Sequence, residues 1–367
     1  MATSNYNYSI EQNAKYNEKT SELLEMLPPY CTSFINSIYE NTMPRSRLGY
    51  LQDVRVFFLF LKAKNPLVKD IPLNEIPVEI LDQLDQDDIL EFLRYLEGYS
   101  IDGKQYSNGP AGKKRKLASI RALYKFLTTT KGYINNNPAI KVVTPTVKEK
   151  QIRTLDNDER KALFKVIEDE IKTAEKKYGQ TSKEEMNMKT RQAPAIAKRN
   201  KAIIYLFLGS GMRISELVGI DLENINFPNS RINILRKGGG DDHVYLSDAV
   251  MDALLDYINT ARDTLLPAFE IETALFLSSK HTRITPRSIE RMISDYAKKA
   301  LGANSGITPH KFRSTFGTQY YTETNDIFAT ASVLGHASIE TTKRHYVKPG
   351  EAAKQNMRNI DIFGGTK

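Results

Sequence analysis

One cysteine, Cys31, stands in 367 residues. A lone thiol excludes an intramolecular disulfide and any cysteine-rich zinc site, and it makes a reducing cytoplasm the expected compartment. Long apolar runs are missing too. No stretch approaches the ~20 residues that a membrane-crossing helix needs, so no membrane partner is expected. The opening stretch MATSNYNYSIEQNAKYNEKT is polar and lacks the apolar centre of a secretory signal, which fits an intracellular protein. Acid is the scarcer charge: Asp and Glu number 44 against 52 Lys and Arg, a net charge of +8. That excess suits a polyanionic partner without requiring one.

The length exceeds that of one ordinary domain, and apolar residues at 40% leave enough for two cores, so two domains are expected. Residues 1–23 are polar and read as a flexible, frayed or loosely helical segment, too short for an additional globular module. Residues 24–134 carry helical apolar spacing. Phe34, Ile35, Ile38 and Tyr39 form one run, and Tyr50 to Leu61 a second. Ile89 to Leu96 form a third, and Leu117 to Leu127 a fourth, together reading as a small helical bundle. The fourth run opens on the basic stretch Lys113, Lys114, Arg115 and Lys116, with Arg121 just beyond, while Arg45 and Arg47 open the second. Such residues read either as DNA-phosphate contacts from helix starts or as solvated helix faces. Phe57 and Phe58 read as core. Residues 135–152 hold two prolines and no helical period, and read as an interdomain linker open to limited proteolysis.

The second domain, residues 153–367, begins with a helix over Asp156 to Lys172, acidic in its first turn as the helix dipole favours. Thr173 to Lys198 is charged, an extended helix or an exposed insertion. Ala202 to Leu208 is an apolar helix leading to Gly211-Met212-Arg213, with Glu216 three residues on. Strands are expected over Arg231 to Arg236 and His243 to Ser247, joined by a glycine-rich tip that carries Lys237. His243 has no cluster of partners and reads as a strand residue, not a metal ligand. A helix over Asp248 to Ala261, a strand over Ala274 to Ser278 and a helix over Thr285 to Lys299 follow.

The stretch from Thr308 to Tyr346, TPHKFRSTFGTQYY followed by LGHASIETTKRHY, is the one the rest of the chain serves. Thr308 and Pro309 mark a helix start. His310 and Arg313 fall three apart on one face. A second helix ends at Leu334-Gly335, where glycine tolerates a left-handed turn that lifts His336 out of the helical row. Arginine binds phosphate oxygens in a fork, histidine moves protons near neutral pH, and a phenol oxygen can attack phosphorus.

HKFR, LGH and the following Tyr346, with GMRISEL far upstream, resemble the catalytic boxes of the tyrosine recombinases. Within that family the chain most resembles Xer recombinases, particularly the XerS type. The resemblance implies a mainly α fold with a small antiparallel sheet. It also implies a two-domain clamp, a helical core-binding domain followed by an α+β catalytic domain. It implies cleavage and rejoining of double-stranded DNA at a specific site through a 3′-phosphotyrosine, with no metal and no cofactor. Tyr346 would be the nucleophile, Arg213 and Arg313 the phosphate clamp, His310 the proton-transfer partner and His336 a phosphate ligand. Lys237 would protonate the leaving 5′-oxygen. Partners implied are a homotetramer on DNA, exchanging C-terminal tails, and a DNA translocase of the division machinery. Xer-like resolution of chromosome or plasmid dimers and integration of a mobile element remain as alternative roles, beside a DNA-binding regulator without catalysis. One departure stands out: the family's tyrosine commonly lies nine residues after the LGH histidine, where this chain has His345, and Tyr346 comes tenth.

Overall fold

The computed structural model describes residues 4–147, 153–236, 239–268, 271–336 and 338–346. The chain divides into two compact units: Ser9–Lys150, and Gln151–Lys367 together with Met1–Tyr8.

The first unit is built on α1 (Ser4–Glu25) from residue 9 onward, α2 (Pro29–Ser37), α3 (Pro44–Lys64), α4 (Val78–Gln83), α5 (Gln86–Tyr95) and α6 (Pro110–Lys125). A hairpin of β1 (Tyr99–Ile101) and β2 (Lys104–Tyr106) precedes α6. Proline opens α2, α3 and α6, where its missing N–H costs nothing. Asp85 caps α5 reciprocally with Asp88. The apolar runs meet in an aromatic core in which Phe57, Phe58, Phe60, Phe92 and Tyr124 are fully buried, with the Phe57 and Phe92 rings 5.1 Å apart edge to face.

Two segments are more ordered than their composition indicates. The polar N-terminus, expected to be frayed or loosely helical, is a regular helix from Ser4; Thr20 is buried, and Asn17 Oδ1 accepts from Arg47 at 3.2 Å. The first part of the expected linker is held on the helical unit. Asp82 Oδ1 accepts the backbone N–H groups of Asn135 and Asn136 at 2.8 and 2.7 Å, and Ala139 and Val142 are buried. The hairpin was not anticipated from periodicity; its signal is the Asp102-Gly103 pair, both at positive φ.

The second unit contains α7 (Asn157–Gln180), α8 (Met188–Ser210), α9 (Ile214–Val218), β3 (Ile225–Asn226), β4 (Arg231–Leu235), β5 (Asp241–Tyr245), α10 (Asp248–Thr260), α11 (Pro286–Leu301), α12 (Pro309–Thr324), α13 (Ile327–Leu334) and α14 (Ile339–Tyr346). The sheet is antiparallel in the order β3-β4-β5. Helix α8 is the hub, packed against α7, α10 and α12, with Ile203, Ile204, Leu206 and Phe207 fully buried. The charged stretch after residue 172 resolves into a continuation of α7, a short loop and the start of α8. The strand expected over Ala274 to Ser278 is reduced to two isolated bridges, Asp221 to Ala274 and Leu277 to Arg283. Thr308 occupies the cap position of α12 but its hydroxyl makes no cap bond; Pro309 fills the first turn as expected.

Candidate active site

The site is organised by two left-handed glycines. Gly211 (φ 61°) ends α8 and turns the chain so that Met212 is buried and Arg213 stands at the start of α9. A Cβ on Gly211 would lie 2.4 Å from the Phe316 ring. Gly335 (φ 60°) ends α13, and a Cβ there would lie 2.8 Å from Arg236 Nε. Both turns need a residue without a side chain, for space as well as for backbone conformation.

Around the second turn three arginines take three successive carbonyls. Arg236 Nη2 donates to Val333 O at 2.8 Å, Arg313 Nη2 to Leu334 O, and Arg213 Nη2 to Gly335 O at 2.8 Å. These are carbonyls that the last turn of a helix leaves without partners, at its negative dipole end, so three cations suit the place. Arg313 is buried and also reaches back to Gly211 O at 2.7 Å, tying the two glycine turns together. Arg213 is held on its other side by Glu216, whose two oxygens accept from Arg213 Nη1 and backbone N at 2.7 Å each. Glu216 is 2% exposed and also pairs with Arg236 at 3.3 Å. A buried carboxylate flanked by two guanidinium groups orients both.

His336 follows Gly335 directly, and its backbone N–H donates to Ala331 O at 2.9 Å. Its Nδ1 lies 2.8 Å from Oγ1 of Thr342, a fully buried residue on α14, so one hydrogen is shared between the histidine and α14. His310 sits in the first turn of α12, exposed, with its carbonyl accepting from Ser314 Oγ at 2.9 Å. Tyr346 is the last residue of α14, and its side chain lies outside the described residues, as do Lys237 and the tail from residue 347. Arg213, Arg313 and His336 are therefore brought together on one turn. Arg236 and Thr342 belong to the same arrangement, though neither stood out in the sequence. Arg236 adjoins the glycine-rich tip, and Thr342 follows His336 by six residues; neither placement separates them from ordinary strand and helix residues.

Among the described residues no cluster of His, Cys, Asp and Glu has the makings of a metal site, and His243 is a strand residue whose ring meets Tyr245 edge to face. No helix is long and apolar enough to cross a membrane among the described residues.

The basic residues of the helical unit divide sharply. Arg121 donates from Nε to Ala139 O at 3.0 Å, from Nη1 to Thr144 Oγ1 at 2.8 Å, and from Nη2 to Val142 O. Arg47 is buried, donates to Tyr39 O and Thr42 O, and lies over the Tyr39 ring. Lys116 is buried against Asp53 at 3.3 Å, and Lys113 pairs with Glu97 at 2.7 Å. These side chains serve the fold, where the sequence allowed a surface role. Lys114 and Arg45 are exposed. Arg115 is 55% exposed, with one N–H anchored on Asp53 at 2.6 Å. Asp53 accepts from Arg115 and Ser119, and the Phe57 ring one turn on meets Tyr124, so α3 and α6 run in the same direction with their basic starts side by side. Alanine at Arg121 leaves carbonyls of the 139–142 segment without their donor. A loss of about 1–3 kcal/mol in urea unfolding of the helical unit is expected, with DNA affinity of the folded protein changed by less than ~2-fold.

The Phage integrase family model matches residues 153–352. Tyrosine recombinase XerS of Streptococcus mutans is 31% identical over 344 residues, covering 89% of this chain and 93% of that protein. Tyrosine recombinase XerC of Caldanaerobacter subterraneus subsp. tengcongensis is 26% identical over 325 residues, covering 86% and 82%. Among solved structures, the Tn1549 transposon integrase in complex with a circular intermediate DNA superposes with a TM-score of 0.62 at 18% identity, over 90% of this chain and 99% of that one. XerH bound to a palindromic difH substrate gives 0.58 at 19% identity, over 80% and 76%. At those identities the two structures establish the shared fold.

Proposed function

The chain belongs to the phage integrase family as a DNA-cleaving and rejoining tyrosine recombinase of the XerS-like Xer type, and from that premise we propose that Tyr346 is its nucleophile. The Tyr346 oxygen forms a bond to a backbone phosphorus as the bond to the 5′-oxygen breaks. The phenolic proton leaves toward His310, and Lys237 supplies one to the leaving 5′-oxygen, which departs as the 5′-hydroxyl. Arg213 and Arg313 hold the two non-bridging oxygens and stabilise the charge that grows on them, the largest contribution in such chemistry. His336 donates to the same phosphate. The ester retains the energy of the broken linkage, so rejoining needs no nucleotide. Exchange between two duplexes in a homotetramer, through a Holliday junction, follows from that reversibility.

The observation that carries this reading is the gathering of Arg213, Arg313 and His336 on the α13 C-terminal turn. The spacing of α14 supports the nucleophile. Thr342 is directed at His336, and Tyr346 comes four residues later, one helical turn along the same face. His345, at three residues, falls on the other flank of that face.

In the helical unit, Arg45, Lys114 and Arg115 at the paired starts of α3 and α6 contact the duplex backbone, with the exposed N–H groups of Arg115 positioned by Asp53. Similarity to the streptococcal XerS over nearly its whole length supports resolution of chromosome or plasmid dimers as the role, with a DNA translocase of the division machinery as its partner. Incubation with nicked suicide DNA carrying candidate sites is expected to leave a covalent protein–DNA band on a denaturing gel, in chelator as well as without it. No band at any site where the protein binds tightly would oppose the reading. Contact with roughly 6 to 10 phosphates makes affinity fall about 10³- to 10⁵-fold between about 50 and 200 mM salt. Titration at two salt concentrations checks this, and alanine at Arg115 should lower the slope by about one.

A further inference from the structure

Arg236 is heavily engaged beside the clamp, and the catalytic roles proposed for its neighbours do not include it. It is 11% exposed and joins three elements: Nε to Asp242 on β5 at 2.8 Å, Nη1 to Glu216 on α9 at 3.3 Å, and Nη2 to Val333 O on α13 at 2.8 Å. Its backbone closes the root of the β4–β5 hairpin, donating to Gly240 O at 2.8 Å and accepting from Gly239 N at 3.0 Å. Its guanidinium lies over Gly335, close enough that a Cβ there would collide. Burial pushes the Asp242 carboxyl up, but the hydrogen bonds from Arg236 and from the His243 backbone outweigh that and hold it below the usual carboxylate range. Asp242 thus stays ionised as a fixed anchor for Arg236 near neutral pH.

We propose that Arg236 is a positioning residue for catalysis: by holding Glu216, Val333 O and the Gly335 turn at once, it sets where Arg213 and His336 meet the scissile phosphate. The inference rests on the assignment of Arg213, Arg313 and His336 to that phosphate. Arg213 is fixed at two points, Glu216 and Gly335 O, and Arg236 touches the partners at both. Removing it leaves the buried Glu216 with one cation instead of two, and Val333 O without its donor. The turn that carries His336 then loses its lateral support. A shift of about 1 Å in a reacting group costs about 10²-fold in rate. Lysine keeps the charge but lacks a planar fork, so it cannot bond Asp242, Glu216 and Val333 O together.

Single-turnover adduct formation at saturating suicide DNA tests this with Arg236→Ala, Arg236→Lys and Arg236→Gln. The expected result is a rate about 10²-fold below wild type for Ala and Lys, with the dissociation constant for intact DNA within about 3-fold. The glutamine variant retains one side-chain amide for the Val333 carbonyl and serves in place of alanine should the latter melt below the assay temperature. A second substrate carries a methylphosphonate at the scissile position, which removes the charge of one non-bridging oxygen and relaxes the demand on the arginine clamp. The gap between wild type and variant should shrink to below about 10-fold there. An unchanged rate on phosphate, or the same gap on both substrates, would overturn the proposal, since a defect of folding alone ignores the charge of the phosphate. Arg213→Ala, run alongside, keeps the two ideas apart: if its rate on phosphate equals wild type, the phosphate assignment has failed, and with it the basis for Arg236; if only the Arg236 variants behave as wild type, the positioning role alone is lost.

Discussion

Arg313→Ala is expected to lower single-turnover DNA cleavage by about 10³-fold or more and to destabilise the catalytic unit by about 2 kcal/mol. Both effects come from one buried fork. Arg313 is 3% exposed and bridges Gly211 O at 2.7 Å to Leu334 O, so it ties the end of α8 to the end of α13. Its loss strips two carbonyls of their donor and removes one of the two cations proposed to hold the phosphate. Arg313→Lys restores the charge without the fork and is expected to stay at least about 10²-fold below wild type. Urea unfolding of the free protein reads the first effect, and adduct formation well below the melting temperature reads the second. A variant that folds as wild type and cleaves at the wild-type rate would remove Arg313 from the site.

Tyr346→Phe is expected to abolish the covalent adduct while leaving DNA affinity within about 2-fold, because the substitution deletes only the oxygen proposed as the nucleophile. The competing residue is His345, which occupies the ninth position after His336. A phosphoramidate on imidazole would hydrolyse too readily to preserve the bond energy that rejoining requires. His345→Ala should therefore retain the adduct. Adduct with Tyr346→Phe, or its loss with His345→Ala in a folded protein that still binds DNA, would reverse the assignment. Thr342 sharpens the comparison, since its bond to His336 fixes which face of α14 meets the turn.

Much of this architecture is legible in the sequence. The apolar periodicities of residues 34–61 and 89–127 are the helices that form the aromatic core, and the glycines at 211 and 335 mark the two turns that deliver Arg213 and His336. What the sequence concealed was the destination of charge. Arg47 and Arg121 look like surface cations, yet their acceptors are backbone carbonyls, which every residue carries and no pattern reveals. Arg236 was hidden for the same reason: its partners Glu216 and Val333 stand 20 residues before it and 97 after it. The polar N-terminal segment reads as frayed or loosely helical, and how firmly the helix is held is not legible there because the tertiary partner of Asn17, Arg47, lies 30 positions on.

The central claim is that one tyrosine, at the end of α14, carries the cleaved strand. Digesting the adduct trapped on suicide DNA with protease and nuclease, then sequencing the modified peptide by mass spectrometry, reads that claim directly. The account predicts a single nucleotide joined through its 3′-phosphate to Tyr346. A 5′-phosphate linkage, or attachment at His345, Tyr320 or Tyr321, would contradict it.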